Sequence, residues 1–168
     1  MFLGSPPLLQ VQSSAEAKPV NAGRPGDKIS DAGLLQAKII EFARSLTGIR
    51  YKYASANPKT GSDCSGFIHY VFRYFQIAVP RSSAAFAKAG RTIDLKNAGP
   101  GDLILFTGTN PQIRNIGHIG MVVSEPGEPL RFIHSTSGKA YGVTETALNE
   151  KYRKRYMKAV RIISPAES

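Results

Sequence analysis

The chain has 168 residues, the size of one domain, with 42% apolar and 20% charged residues. That much apolar material excludes wholesale disorder, and no run approaches the ~18 apolar residues of a membrane span. A single cysteine, Cys64, excludes an intrachain disulfide and a multi-cysteine zinc site, while 22 Lys and Arg against 12 acids leave a formal charge of +10.

Residues 1–30 read as a flexible arm. Met1–Leu9 is short and apolar but carries two prolines, and Gln10–Asp27 is rich in Ser, Ala, Gly, Pro and charge. Ser13 and Ala15 place small residues at the −3 and −1 positions of a signal-peptidase-type site, although no basic residue precedes the apolar stretch. The arm fits a remnant export signal as well as it fits a plain linker. Residues 31–168 form the expected domain. Ser30-Asp31 caps a helix whose Leu35, Ile39, Phe42 and Leu46 make one apolar stripe, ended by Gly48. A second helix opens at Asp63, after Gly61-Ser62, with Phe67, Ile68, Val71, Phe72 and Phe75 on a broad apolar face. A short helix is expected around Ser82–Ala89. From Gly99 the pattern turns to strands: Leu103–Phe106, Ile116–Ser124, Leu130–Ser135 and Met157–Ile163, with a helix over Glu145–Tyr156. Helices first and an antiparallel sheet after them predict a single α+β domain.

Cys64 falls in the first turn of the second helix. Unpaired N–H groups and the helix dipole there favour a thiolate, the nucleophilic form, and can also hold an oxyanion. The competing reading is a free cysteine packed in the core, the commonest fate of a lone cysteine. A thiolate needs a base. His69 lies five residues on, about 140° around the helix, and reads as structural or surface. His118 and His134 lie in predicted strands flanking Glu125-Pro126-Gly127. A three-residue loop with Gly127 left-handed pairs Ser124 with Glu128 and sets His118 directly opposite His134 on one face of the hairpin. A one-residue slip separates them. In that register one histidine accepts the cysteine proton and the other holds its ring. Two unrelated strand histidines, or a zinc held by Cys64, His118 and His134, are the alternatives. No Cys-x-x-Cys or His-Glu-x-x-His element pre-arranges two metal ligands.

Asp63-Cys64-Ser65-Gly66-Phe67 resembles the nucleophile motif of the NlpC-type cell-wall cysteine peptidases, a papain-like family. Tyr51-Lys52-Tyr53, Pro80-Arg81-Ser82-Ser83, Pro100-Gly101-Asp102-Leu103, Gly117-His118-Ile119-Gly120-Met121 and Phe132-Ile133-His134-Ser135 resemble further family elements in the family's order, over roughly residues 31–163. The resemblance implies a papain-like fold, with the nucleophile at a helix N-terminus packed on an antiparallel sheet. It implies Cys64 as nucleophile, His118 as general base and His134 as the residue that orients it. Tyr51 would lie near the cysteine, and Asp63 and Ser65 would shape the substrate pocket. The implied substrate is a peptidoglycan stem peptide, cut commonly between γ-D-glutamate and a diamino acid, with no cofactor and no metal. One departure stands out: after Tyr53 the family usually has Gly-Gly, and this chain has Ala54-Ser55, whose larger side chains would narrow the cleft.

Two other readings stay open. Papain-like relatives act as amidases or acyltransferases through the same triad. A basic nucleic-acid binder is the non-enzymatic reading, with Lys151, Arg153, Lys154, Arg155 and Lys158 clustered around Tyr152 and Tyr156; a solvated helix face explains that cluster as well. The +10 charge equally suits a monomeric, exported enzyme held near an anionic cell envelope, without nucleic acid.

Overall fold

A computed structural model of the chain describes residues 30–164; the arm predicted over residues 1–30 lies, apart from Ser30, outside the described residues. Two helices come first. Ser30 caps α1 (Asp31–Ser45), its hydroxyl accepting from the Gly33 N–H at 3.1 Å. Asp63 caps α2 (Cys64–Tyr74) in the same way. Between them lies a small hairpin, β1 (Ala56–Asn57) with β2 (Gly61–Ser62). A short α3 (Ser83–Phe86) follows, capped by Ser82. The rest is β3 (Arg91–Ile93), β4 (Leu103–Thr107), β5 (Ile116–Val122), β6 (Arg131–Thr136), β7 (Gly142–Ala147), α4 (Glu150–Arg155) and β8 (Tyr156–Arg161). Strands β3 to β8 form one sheet in the order β3-β8-β4-β5-β6-β7, every pair antiparallel. The expected α+β architecture is the observed one.

Strand alternation gives the sheet two apolar faces. Leu103, Leu105, Ile119, Met121, Ile133 and Val160 point towards α1 and α2, where Phe67, Ile68, Val71 and Phe72 meet them. Burying each such side chain contributes about 1.5–3 kcal/mol, so this layer holds α2 firmly on the sheet. Ile104, Phe106, Val122 and Phe132 form the second face, covered by Leu148 and Tyr152. The Pro100-Gly101-Asp102-Leu103 turn braces β4 to β8. Gly101 sits at φ +91, and buried Asp102 takes a two-pronged ion pair from Arg161, at 2.9 and 2.8 Å.

Two assignments change. Glu145 does not begin a helix: Gly142–Ala147 is strand β7, paired along its length with β6, and α4 starts only at Glu150, after the Asn149 cap. Val143, Thr144 and Thr146 are β-branched and sit on a half-buried edge strand, which outweighs the helical look of the residues after Glu145. The predicted basic cluster is also split. Arg155 is buried, with its Nη2 donating to the Thr107 carbonyl at 3.1 Å, and Lys158 Nζ donates to the Ala87 carbonyl at 2.8 Å. Only Lys151, Arg153 and Lys154 are left exposed on α4.

Ala54 adopts φ +57, a left-handed conformation that favours glycine, and this accounts for the glycine usual at that point of the motif. The Ser55 hydroxyl turns onto the Gly61 carbonyl at 2.7 Å, stapling the small hairpin.

Candidate active site

Cys64 is the first residue of α2. Asp63 Oδ1 accepts from the Gly66 N–H at 2.6 Å, and the Phe67 N–H is taken by the Asp63 carbonyl. The N–H of Cys64 itself makes no hydrogen bond among the described residues, so it points out of the helix start as an available donor. Gly66 is required here: a Cβ would overlap the Ser55 carbonyl, which α2 presses against.

Two residues, Arg81 and Tyr51, brace the helix start from outside. Arg81 donates to Asp63 Oδ1 at 3.2 Å, Asp63 Oδ2 at 3.0 Å and Ser65 Oγ at 2.8 Å. The Pro-Arg-Ser segment thus fastens Asp63 and Ser65, both buried, into one polar block beside the cysteine. Tyr51 bridges to Ser62 and stacks obliquely on Tyr141, with ring centroids 5.8 Å apart. Burial raises the Tyr51 phenol above its ordinary value, and the Cys64 and Asp63 charges add to the rise, which places its hydroxyl within electrostatic reach of both.

The sulfur of Cys64 lies 3.6 Å from Ser83 Oγ, at the start of α3. Burial pushes the Cys64 thiol up from its ordinary value. Asp63 adds to the rise, and Ser83 with the backbone N–H groups of Ser65 and Ile119 opposes it. This overturns the expectation of a depressed thiol. A helix terminus is worth only about 0.3–1 kcal/mol at an exposed site, and desolvation of a half-buried sulfur outweighs it. Helix α2 packs on β5, the strand of His118, and Cys64 packs against the core cluster that includes Ile119.

On β5 and β6 the hairpin is longer than expected. Gly127 does adopt the left-handed conformation, at φ +89. Pairing ends at Val123 and Arg131, however, and the Ser124 hydroxyl accepts from the Arg131 N–H at 3.0 Å. Met121 therefore pairs with Ile133 and Val122 with Phe132, a register two residues from the predicted one. His118 and His134 are diagonal rather than directly opposed. An even shift keeps both on the same face, and their rings still meet: His118 Nε2 lies 2.7 Å from His134 Nδ1, with ring planes at 77°. His134 Nε2 lies 2.9 Å from Thr146 Oγ1 on β7. With the His118 Nε2–H donating to His134, and the His134 Nε2–H donating to Thr146, His118 Nδ1 is the ring nitrogen left to accept a proton. The two rings thus face each other rather than a shared ion. Among the described residues no group of three His, Cys, Asp or Glu side chains is placed to hold a metal.

The structure brings His118 and His134 together, and joins Asp63 and Ser65 through Arg81. It places Tyr51 beside Ser62, two residues before Cys64. It does not hydrogen-bond the thiol to His118; the nearest side-chain partner of the sulfur is Ser83. His69 is structural, as expected, with Nδ1 3.0 Å from the Pro80 carbonyl.

Gly120 makes room for the histidine pair. It lies across from His134, and a Cβ there would come to 2.6 Å from the Phe132 ring and 3.4 Å from His134 Cβ. Gly120→Ala is therefore expected to displace Phe132 and tilt His134. We expect about 1–3 kcal/mol of lost stability, read by urea unfolding, and at least ~10-fold lower turnover. Unchanged values in both measurements would contradict this.

Burial lowers the His118 imidazole well below 6.5 and His134 to about 4, with His134 and Arg155 adding to the first shift and Arg155 to the second. The sign for stability follows. Above pH 6.5 both folded and unfolded rings are neutral and contribute nothing. As pH falls from 6.5 towards 4, the unfolded chain binds protons that the folded one refuses, so stability is lost across that window. The expected loss is about 3 kcal/mol from His134, with the same sign from His118. Chemical denaturation at pH 7, 6, 5 and 4 checks it; a flat profile would contradict the buried neutral pair.

Comparison with known proteins agrees with this architecture. Residues 48–162 match the NlpC/P60 family. The gamma-DL-glutamyl hydrolase of Bacillus subtilis is 31% identical over 140 residues, covering 80% of this chain and 32% of that protein. The Escherichia coli K12 protein named murein DD-endopeptidase MepS/murein LD-carboxypeptidase is 30% identical over 133 residues, covering 77% and 64%. The chain thus spans less than two thirds of either relative's length. Among solved structures, an NlpC/P60 family protein from Bacillus cereus superposes with a TM-score of 0.68 at 27% identity, covering 77% of this chain and 40% of that one. By the family match over most of its length and by its fold, this chain belongs to the NlpC/P60 family.

Proposed function

We propose that the chain is a cysteine endopeptidase that hydrolyses peptide bonds in peptidoglycan stem peptides, at the bond between γ-D-glutamate and a diamino acid. One observation carries this reading: a cysteine on a capped helix start packs against the strand that carries His118, and the His118 ring is held through Nε2 by His134 at 2.7 Å. The printed names of two relatives, a gamma-DL-glutamyl hydrolase and a murein endopeptidase, support the substrate class.

On this reading the thiol turns from Ser83 to His118 when substrate enters; catalytic hydrogen bonds often tighten only in the complex. Cys64 Sγ gives its proton to His118 Nδ1 and attacks the γ-carbonyl carbon. The oxyanion collects on the Cys64 N–H. His118 then protonates the leaving amine, the C–N bond breaks, and a thioester remains on Cys64. Water, deprotonated by His118, hydrolyses the thioester and restores the thiol. His134 orients His118 throughout. Tyr51 lies on the substrate side, and Asp63 and Ser65, buried and held by Arg81, shape the pocket from behind. The thiol is raised and the imidazoles are lowered, so the resting pair is neutral and proton transfer accompanies attack.

The same reading takes residues 31–168 as the catalytic domain and 1–30 as its arm. It makes the protein a monomer exported to the periplasm or cell envelope, where its charge favours anionic polymers. The nucleic-acid reading loses its platform, because Tyr152 is packed against His118 and His134 rather than open for stacking. Mass-spectrometric analysis of purified muropeptides tests the reaction. Products with a new free amine on the diamino acid support the endopeptidase; stem peptides released whole from the sugar would point to an amidase and overturn it.

A further inference from the structure

Behind the histidine pair lies a cation with no anion beside it among the described residues. Arg155, the last residue of α4, is 7% exposed. Its Nη2 donates to the Thr107 carbonyl at 3.1 Å, its buried Nε has no partner, and the three ion pairs among the described residues do not include it. The guanidinium carbon stands 5.1 Å from the centroid of the Tyr152 ring. That ring packs against both histidines, 5.6 Å from His134 and 6.4 Å from His118. A buried charge without a counter-ion is costly, so a chain that places one beside two titratable rings is arranged to act on them.

The groups around the pair come from every neighbouring element. Phe106 and the Thr107 carbonyl come from β4, Phe132 from β6, Thr146 from β7, and Tyr152 with Arg155 from α4. Cys64 approaches from α2, which packs on β5. Among the described residues no carboxylate hydrogen-bonds or ion-pairs with the rings; their partners are each other and Thr146.

We propose that Arg155 is a positioning residue for the general base: a buried cation, without an anionic partner among the described residues, that reinforces burial in keeping His118 and His134 neutral, so that His118 Nδ1 stays free to take the thiol proton under mildly acidic conditions. The cation also makes protonated His118 a stronger acid, which speeds its proton onward to the leaving amine. This inference rests on the Cys64–His118 reading above, and its test separates the two.

The test follows the imidazole protons of the full chain by NMR titration, in the wild type, Arg155→Met and Arg155→Lys. His69, bonded to the Pro80 carbonyl, is the internal control. In the wild type, His118 and His134 should protonate below the ordinary imidazole value. Arg155→Met should raise both midpoints by about one pH unit, and the acid limb of turnover should rise with them. Arg155→Lys, which keeps the charge, should titrate like the wild type, a rescue that a purely packing role would not produce. Equal midpoints in the wild type and Arg155→Met overturn the proposal. So does a wild-type pair titrating at or above 6.5, a result that needs no variant to fold. A wild type that leaves muropeptides intact would instead sink the catalytic reading, while the titration still decides the role of Arg155.

Discussion

Cys64→Ala is expected to abolish muropeptide cleavage, by at least ~10³-fold, while leaving the fold intact. The two halves have separate causes. The sulfur is the only atom of the site that can form the thioester, and no second cysteine stands in for it. Stability should hold because Cys64 is only partly buried and sits at the edge of the α2 core rather than inside it. The cap that fixes the helix start belongs to Asp63 and is untouched. Removing a partly buried sulfur should cost about 1 kcal/mol or less, a shift of a few degrees in melting temperature. Turnover assays paired with thermal melts check both halves. An alanine variant that still cleaves would remove Cys64 from the chemistry, and one that unfolds would show the cysteine to be structural.

The histidines should rank unequally. His118→Ala removes the base and is expected to cost about 10²–10⁴-fold in turnover. His134→Ala removes only the orienter and should cost less. His134→Gln should recover part of that loss, because a Gln carbonyl can still accept from His118 Nε2–H. The order follows from the chain of contacts, in which His134 and Thr146 act on the thiol only through His118. Steady-state kcat/KM values for the three variants test it. The account fails if His134→Ala costs more than His118→Ala, or if His118→Ala turns over like the wild type.

The fold could be read well where physics is local. Ser30 and Asp63 announce two caps, and both hydroxyl and carboxylate bond the N–H three residues on. The apolar stripe from Phe67 to Phe72 announces the helix that carries Cys64. The histidine pair was legible in parity but not in register. Alternation sets His118 and His134 on one face under either pairing, but the two-residue shift depends on the Ser124 hydroxyl closing onto Arg131, a loop choice that spacing does not encode.

What escaped the sequence was tertiary. Thr146 meets His134 only because β7 pairs with β6, and β7 was itself hidden behind the helical look of Glu145 and its successors. Arg155 looked like one more member of a basic surface run. Burial against Tyr152 and the Thr107 carbonyl makes it the exception in that run. The thiol misled in a third way: the helix start is visible in the residues, but desolvation of the sulfur by its surroundings is not, and desolvation sets the direction of the shift. Gly120 lay within a quoted motif, yet its reason, the space taken by Phe132 and His134, is a contact across strands.

Cys64 is the one thiol in the sequence, so labelling it reports on the nucleophile alone. Alkylation of the native protein with iodoacetamide, followed by intact-mass analysis and a muropeptide assay on the same sample, measures label and activity together. One carbamidomethyl group per chain is expected, with activity lost in proportion to label and muropeptide slowing both. A fully labelled protein that cleaves muropeptides at the unlabelled rate would contradict Cys64 as the nucleophile.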